Sequence, residues 1–176
     1  MSEGTSKLQT FIHISGFSQE DQTRIRRLSK HLIPRLPALT ERFYERLLAD
    51  ERTRPYVAPR IESLKQTHIT WMSELFSGDY GEAFLERQRR IGEVHVRVGI
   101  PPLFVAASMS FLRSAFPAEI EASAQAMGEP ADVYTGAVLR LLDLCQYLID
   151  SSYEEKFLEA AGISPELMWQ MARTAF

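Results

Sequence analysis

The sequence lacks the features that mark several large classes of protein. Cys145 is the only cysteine among the 176 residues, which excludes an intrachain disulfide and any metal site built from cysteine pairs. No apolar run approaches the length of a membrane span, and the first residues have neither the basic nor the apolar region of a signal peptide. These absences predict a cytoplasmic protein without a membrane segment.

Neither positive nor negative charge is present in large excess. The formal net charge is −3 at pH 7, and 24% of the residues are charged. This balance gives no broad positive surface for nucleic acid or an anionic membrane, so we expect neither as a partner. The hydrophobic fraction of 45% is ordinary for a globular protein, and the chain is long enough for one sizeable core.

Helical patterns, separated by proline, glycine and serine, occupy most of the chain. No stretch alternates apolar and polar residues for long enough to predict a strand, so the predicted fold class is all-α. Ser18 and Asp21 have the spacing of a capping box at the start of a helix. The segments predicted to be helical are 18–33, 39–48, 61–75, 81–98, 101–127, 131–160 and a last helix that begins at Ser164.

Proline predicts three interruptions of these helices. The helix that opens at Ser18 is expected to stop around residues 34–37, and residues 50–59 are expected to form a turn. Pro117 lies inside the helix predicted at 101–127. Because proline removes a helix hydrogen bond and its ring crowds the preceding turn, a kink or break is expected near Ser114.

One imidazole lies on the apolar face of the helix predicted at 81–98. Steps of four, three, four and three place on one stripe the residues Phe84, Gln88, Ile91, His95 and Val98. His95 therefore points inward, and Gly92, one turn before it, leaves room for a flat body close to the helix backbone. Gly99 ends the helix, and Pro101 fits the first turn of the next. Such an imidazole suits the axial ligand of haem iron, although a hydrogen-bonded core histidine has the same pattern.

This histidine belongs to an ordered set of motifs. Val-His-Val-Arg-Val-Gly-Ile-Pro-Pro at 94–102 follows the pair Phe43 and Tyr44, the run Leu64-Lys65-Gln66-Thr67, and Trp71 with Leu75-Phe76. Over roughly residues 18–160 the set resembles the sensor domain of the globin-coupled sensors, haem-based oxygen sensors related to protoglobins.

The resemblance implies a domain organisation. Residues 18–161 would form a globin-like sensor domain, preceded by an extension helix within residues 1–17. Haem would lie between the helix of Leu64 and the helix of His95. Residues 162–176 would be a linker, or the start of a connector to an output module.

The resemblance also implies roles for single residues. His95 would be the proximal ligand of the iron, and Tyr44 would hydrogen-bond dioxygen bound to ferrous haem on the opposite side. Leu64 would be an apolar gate beside the ligand, and Thr67 would offer a second hydroxyl. The remaining predicted contacts of the cofactor are Phe43, Ile91, Gly92, Val98 and Phe104.

The expected cofactor is haem b held without a covalent bond, because the chain has no Cys-x-x-Cys-His attachment motif. His68 shares a stripe with Leu64 and Trp71 and is a candidate distal or sixth ligand, but we predict a hydrogen-bonded structural role for it. The candidate partners of the haem propionates are Arg60, Lys65, Arg89 and Arg90. Where several relatives carry tryptophan and then tyrosine, this chain has Leu103-Phe104-Val105, so no signalling route through that phenol is expected.

The predicted function is a dioxygen sensor, with carbon monoxide and nitric oxide as other candidate ligands. No enzymatic activity is expected in these residues, and an output such as a diguanylate cyclase or histidine kinase would lie outside them. A homodimer through the two long C-terminal helices is expected, because apolar residues cover more of the second helix than a surface helix needs. Two other classes stay open: a haem-free globin-fold signalling or interaction domain, and a haem enzyme such as a nitric oxide dioxygenase.

Overall fold

Helices and short 3-10 turns account for the regular structure of the described chain. This computed structural model describes residues 3–174, with side chains from residue 7 onwards, and no strand occurs within them. The helices are α1 (Glu3–Ser15), α2 (Gln19–Leu32), α3 (Leu36–Ala49), α4 (Arg54–Val57), α5 (Ile61–Leu75), α6 (Glu82–Arg97), α7 (Pro102–Met127), α8 (Asp132–Ala161) and α9 (Pro165–Thr174). The predicted all-α class is confirmed, and the N-terminal extension forms a helix.

Local sequence signals set most of the helix boundaries. At the start of α2 the predicted capping box is present: the Asp21 N–H donates to Ser18 Oγ over 3.3 Å, and the Ser18 N–H donates to the Asp21 carboxylate over 3.0 Å. Gly128 and Gly162 end α7 and α8 with φ of 69° and 65°, in the left-handed region that favours glycine. The predicted bounds of α5 to α9 agree closely with the structure.

Proline begins helices where the sequence predicted interruptions. Pro37 lies in the first turn of α3, which begins at Leu36 directly after a 3-10 turn at Ile33–Arg35. Residues 50–59, predicted to be a turn, contain α4 and part of a second 3-10 turn, each with proline in its first turn. Proline costs no hydrogen bond there, because the first N–H groups of a helix have no intrahelical partner.

The predicted break in α7 is absent. The helix continues through Pro117, and the side chains of Phe116 and Ile120 on either side are fully buried. Tertiary packing on both sides therefore outweighs the hydrogen bond that the proline removes. By length and composition alone, α7 could also cross a membrane, which was not predicted from the sequence. The core helix of a globular protein meets the same criteria, so this is weak support for a membrane span.

The main core surrounds α8, which packs against α2, α6 and α7. Two buried carboxylates are paired at its edge. Asp21 accepts hydrogen bonds from Arg140 over 3.0 and 2.7 Å, and Glu119 accepts one from Arg35 over 2.6 Å and one from Arg42 over 2.7 Å. Burial alone would raise the pKa of both carboxyls, but these hydrogen bonds outweigh it and lower both pKa values.

The apolar circumference of α8 is satisfied within the chain itself. The residues on which the dimer expectation depended are mostly buried, with Leu139 half-buried and Val133 36% exposed; the buried ones are Val138, Leu141, Leu142, Leu144, Cys145, Leu148 and Ile149. α1 covers part of the remaining surface, because Phe11 stacks on Tyr147 with ring centroids 4.7 Å apart. The apolar residues of α8 are therefore buried without a second subunit. Their number is not a reason to expect a dimer interface on α8, contrary to the prediction.

Candidate functional site

Helix α6 carries His95 in its last turn. The helix starts after Gly81, and His95 O accepts a hydrogen bond of 2.9 Å from the N–H of Ile100 beyond the helix end. Gly99 provides the reversal of the chain with φ of 71°. The chain leaves the helix directly after His95, as the sequence predicted.

The ring of His95 is largely buried, and it has an unpaired nitrogen. Its Nδ1 is buried and has no hydrogen-bond partner within the described residues. Burial lowers the pKa of His95, which keeps the imidazole neutral at physiological pH. An unpaired buried polar atom costs about 1–3 kcal/mol, so a partner from outside the chain would complete this site.

The rest of the α6 stripe changes from buried to exposed along the helix. Phe84 and Gln88 are buried, Ile91 and His95 are half-buried by residue, and Val98 is 40% exposed. The stripe is therefore closed at its N-terminal end and accessible at its C-terminal end.

Gly92 serves a different purpose from the one predicted. A Cβ at this position would lie 2.5 Å from the Ile149 carbonyl oxygen and 2.7 Å from Ser152 Cβ. The glycine therefore allows α6 and α8 to approach closely, and α8 occupies the space where a flat cofactor was expected. The hydroxyl of Ser152 donates to Arg89 O over 2.9 Å at the same crossing.

A second contact from α8 holds the end of α6. The hydroxyl of Tyr153 donates to Ile100 O over 2.7 Å, and the N–H of Ile100 is bonded in turn to His95 O. The sequence reading missed this residue, because its partner lies 53 positions away along the chain. Phe104, a predicted cofactor contact, is half-buried at the start of α7, with its ring 5.9 Å from that of Tyr56.

Tyr44 lies in a small apolar cluster that is separate from the main core. Phe43, Tyr44 and Val57 are buried together, with Leu64 and Phe111 half-buried against them. The hydroxyl of Tyr44 has no hydrogen bond within the described residues. Burial raises the pKa of Tyr44 to about 12, so the hydroxyl stays protonated and able to donate.

His68 has the structural role that the sequence predicted. Its Nδ1 lies 3.2 Å from Thr40 Oγ1, and its ring stacks between Phe43 at 4.7 Å and Trp71 at 5.6 Å. The ring of Tyr44 stands edge-on to it at 5.7 Å. Burial lowers the pKa of His68 to about 4, which makes it a neutral side chain at physiological pH. We call Phe43, Tyr44, His68 and Trp71 the aromatic cluster.

The other α5 residues predicted for the site are more accessible. Leu64 is half-buried against the cluster, whereas Thr67 is exposed and its hydroxyl donates to Ser63 O over 2.8 Å. That bond commits the hydroxyl proton of Thr67 to its own helix. A second donor for Tyr44 or a ligand is therefore not formed by this residue in the structure.

Ion pairs reduce the number of candidate propionate partners. Lys65 is bonded to Glu41 over 2.5 Å, and Arg89 contacts Glu82 and Glu86. Arg60 and Arg90 are exposed and have no ion pair within the described residues.

Helices α5 and α6 run to and from the turn at residues 76–81. Close to that turn, Trp71 Nε1 donates to Gln88 Oε1 over 2.9 Å. Leu64 and His95 each lie seven residues farther from the turn, about 10.5 Å along their helix axes. α5 packs on α3, whereas α6 packs on α8, so Leu64 and His95 belong to different layers.

The protoglobin family profile matches residues 5–159. The chain belongs to the protoglobin family. Solved structures agree with this assignment: the chain is similar to the globin domain of a globin-coupled sensor from Geobacter sulfurreducens, with 26% identity and a TM-score of 0.75 over 82% of this chain and 96% of that one. The globin domain of DosC from E. coli, in a ferrous form, has the same fold, with 22% identity and a TM-score of 0.62 over 71% of this chain and 87% of that one. No curated protein matches the chain significantly.

Membership of a globin family implies haem binding, and the residues present fit that cofactor. The neutral imidazole of His95 has the chemistry of an axial ligand through Nε2, which has no hydrogen bond within the described residues and is not among their buried unpaired atoms, as Nδ1 is. The described residues contain no cluster of three or more histidine, cysteine, aspartate or glutamate side chains that could hold a bare metal ion. A single imidazole suits an iron that is already held by a porphyrin.

Proposed function

We propose that this chain is a haem-based dioxygen sensor domain in which His95 holds haem b without a covalent bond. The unpaired, neutral imidazole of His95 in a protoglobin-family chain is the observation that carries the proposal. Haem supplies a reversible binding place for a diatomic gas, with carbon monoxide and nitric oxide as further ligands. The similarity to the sensor from Geobacter sulfurreducens supports a signalling role rather than a catalytic one.

Tyr44 acts as the hydrogen-bond donor to the gas. Its hydroxyl is unpaired within the described chain, and its raised pKa of about 12 keeps the proton in place. Dioxygen gains negative character on binding and benefits from such a donor, whereas carbon monoxide gains less. Tyr44 therefore discriminates between the gases, and Leu64 limits the entry of water beside it.

The remaining wall of the proposed site comes from apolar side chains of α3, α6 and α7 and of Val98, directly after α6. Phe43, Ile91, Val98 and Phe104 contribute apolar surface, and Thr67 lies at the margin. Arg60 binds a propionate, because it has no ion pair within the described residues and directly precedes α5, the helix of Leu64. Gly92 contributes through the position of α6 and not through contact with the cofactor.

His68 argues against a haem enzyme. Peroxidase-like or dioxygenase chemistry needs a source of electrons or a distal acid and base. With a pKa of about 4 and its Nδ1 facing Thr40, His68 is a weak base that is already engaged. The same engagement argues against His68 as a competing sixth ligand.

A homodimer through the C-terminal helices transmits the signal, with α7 as the principal surface. One third of the apolar 18-residue window of α7 is buried within the chain, and the rest is half-buried or exposed. Exposed side chains recur along that face at steps of four, three, four and four residues, in the order Leu103, Ala107, Ser110, Ser114 and Ala118. Residues 18–161 form the sensing unit, and residues 162–176 connect it to an output module.

The connector assignment is supported by the exposure of α9. No residue of α9 is buried, and the exposed fractions of Leu167, Trp169 and Met171 are 45%, 57% and 53%.

An absorption spectrum of the purified chain tests the proposal. We expect a Soret band that shifts on reduction and again on exposure to dioxygen or carbon monoxide. A chain that stays colourless after reconstitution with haem would instead be a haem-free signalling or interaction domain. Turnover of nitric oxide in the presence of a reductase would identify a haem enzyme.

A further inference from the structure

The aromatic cluster is joined to α6 by one buried hydrogen bond. Gln88 is fully buried, and its side-chain oxygen accepts the indole N–H of Trp71 over 2.9 Å. The other end of the amide is held weakly, because Gln88 Nε2 lies 3.4 Å from Phe84 O. A buried amide that lost the Trp71 bond would be left without its only short partner, so this contact fixes the Gln88 side chain.

On the α5 side, the bond continues into ring contacts. Trp71 stacks on His68, and His68 stacks on Phe43 and meets Tyr44 edge-on, all with centroids within 5.7 Å. Thr40 bonds His68 Nδ1 and fixes the plane of the imidazole. A shift of the Tyr44 ring would therefore press on His68 and, through it, on Trp71, because packed aromatic rings leave little free volume.

On the α6 side, the bond meets the stripe that carries His95. Gln88 and His95 are seven residues apart, which is two turns with an offset of only about 20° around the helix. The segment between them is continuous α-helix. A rotation imposed at Gln88 would therefore change the direction of the His95 side chain.

We propose that the hydrogen bond between Trp71 and Gln88 couples the aromatic cluster around Tyr44 to the orientation of His95. Trp71 and Gln88 are then positioning residues: neither touches the gas, and both set how one side of the site responds to the other. The functional purpose of this coupling rests on the proposed function. The mechanical link itself can be tested in the chain without haem.

The chain offers a matched control. Glu74 and Arg87 also join α5 to α6, but on the surface, where their side chains are 35% and 54% exposed. Glu74→Gln removes the charge of that pair and leaves the buried bond intact. Trp71→Phe keeps a ring in the stack but removes the donor, and Gln88→Met keeps the approximate volume but removes the acceptor.

The first measurement uses the haem-free chain. Hydrogen exchange of the α6 amides should be about tenfold faster in Trp71→Phe and in Gln88→Met, because each loses the bond that ties α6 to α5. Glu74→Gln should match the parent. Unchanged α6 exchange in both buried variants would overturn the link, whether or not the chain binds haem.

The second measurement uses the haem-bound ferrous chain. The resonance Raman band of the iron–histidine bond should shift in Trp71→Phe and Gln88→Met, and stay fixed in Glu74→Gln. A merely structural role would speed unfolding without moving this band. A band that is identical in all variants with haem bound would overturn the coupling and leave the proposed function standing.

The third measurement needs no change to the buried pair. Trp169→Phe removes the exposed tryptophan of α9 and leaves Trp71 as the only indole. The haem site of this variant is the same as that of the parent. The ultraviolet resonance Raman signal of the Trp71 indole N–H should change when carbon monoxide binds to it. A signal that does not respond to the ligand would overturn the coupling even if the buried variants fail to fold.

Discussion

The two halves of the molecule treat buried polar groups in opposite ways. In the main core, Asp21 of α2 is paired with Arg140 of α8, and Glu119 of α7 is paired with Arg35 and Arg42. At the candidate site, His95 Nδ1 is buried without a partner within the described residues, and the Tyr44 hydroxyl has no hydrogen bond within them. A polar group paired inside the chain fixes a frame, whereas one left unpaired in a well-packed setting is available to a ligand.

The two regions also differ in how extensive their apolar packing is. The core around α8 draws on most of the helices, whereas the cluster around Tyr44 holds three buried residues and several half-buried ones. The frame can therefore stay folded while the smaller cluster adapts. Variants in the two halves should accordingly affect different observables.

The largest effect is expected from His95→Ala. It removes the proposed axial ligand, so haem retention should be lost and the Soret band should disappear. Folding should change little, because the imidazole nitrogen is unpaired already. Far-ultraviolet circular dichroism checks that the helices remain. A Soret band like that of the parent would show that another residue ligates the iron, and His68 would be tested next.

Asp21→Ala tests the opposite half. It removes the Asp21 half of the α2 capping box and the partner of Arg140, and a broken buried pair costs about 3–5 kcal/mol. Urea unfolding should show a loss of roughly this size, with the absorption spectrum of any haem-bound protein unchanged. The control is Glu20→Ala, whose exposed pair with Arg24 should be worth less than about 1 kcal/mol. Equal losses in both variants would contradict the assignment of Asp21 to the frame.

Tyr44→Phe removes one hydrogen bond to a polarised ligand, worth about 1.5–3 kcal/mol. Stopped-flow measurement should show dioxygen release roughly tenfold to a hundredfold faster, with a smaller change for carbon monoxide. The stability of the haem-free chain should not fall, because this hydroxyl has no partner within the described residues. Equal changes for both gases would favour a steric role of the ring.

The pKa of His68 predicts a pH dependence. Its folded value of about 4 lies below the ordinary 6.5, so the unfolded chain binds more protons between these values and stability falls as the pH drops from 7 to 4. His68→Gln should remove roughly 1–2 kcal/mol of this dependence in the haem-free chain, since part of the ring is still reached by solvent. Urea unfolding at pH 7 and pH 5 measures it. An unaltered difference between the two pH values would assign the dependence to other groups, such as His95.

The smallest effect is expected from Arg60→Ala. An exposed charge-assisted contact is worth about 1 kcal/mol, so haem should transfer to an acceptor protein a few-fold faster than from the parent. Arg90→Ala is the matched control, since Arg90 is also exposed and lies on α6 away from the His95 stripe. If haem were lost faster only from Arg90→Ala, the propionate would be bound by α6 and not by Arg60.

The sequence predicted those features that depend on neighbours along the chain. The capping box at Ser18 and the end of α6 after His95 are local, and both are present. Proline at 37 and 55 was read as an interruption because its preference for the first helical turn depends on where the preceding segment ends. Pro117 failed as a predictor of a break because burial of its neighbours is a tertiary effect.

The candidate site was predictable only in part, for the same reason. The inward direction of His95 followed from periodicity, whereas periodicity alone left His68 as a candidate ligand. The purpose of Gly92, the bond of Tyr153 to Ile100 and the pairing of Trp71 with Gln88 depend on partners that are distant in the sequence. The helices that bury the apolar surface of α8 are likewise distant in the sequence, so that surface was assigned to a second subunit.

The close approach at Gly92 has a mechanical consequence. Because α6 and α8 meet backbone to backbone, neither helix can slide over the other without a collision at Ile149. The contact at this glycine therefore acts as a pivot about which the two helices can tilt but not slide. A small tilt that begins at His95 would be enlarged along the free arm of α8, so the greatest travel in the domain is expected at Gly162, where α8 ends.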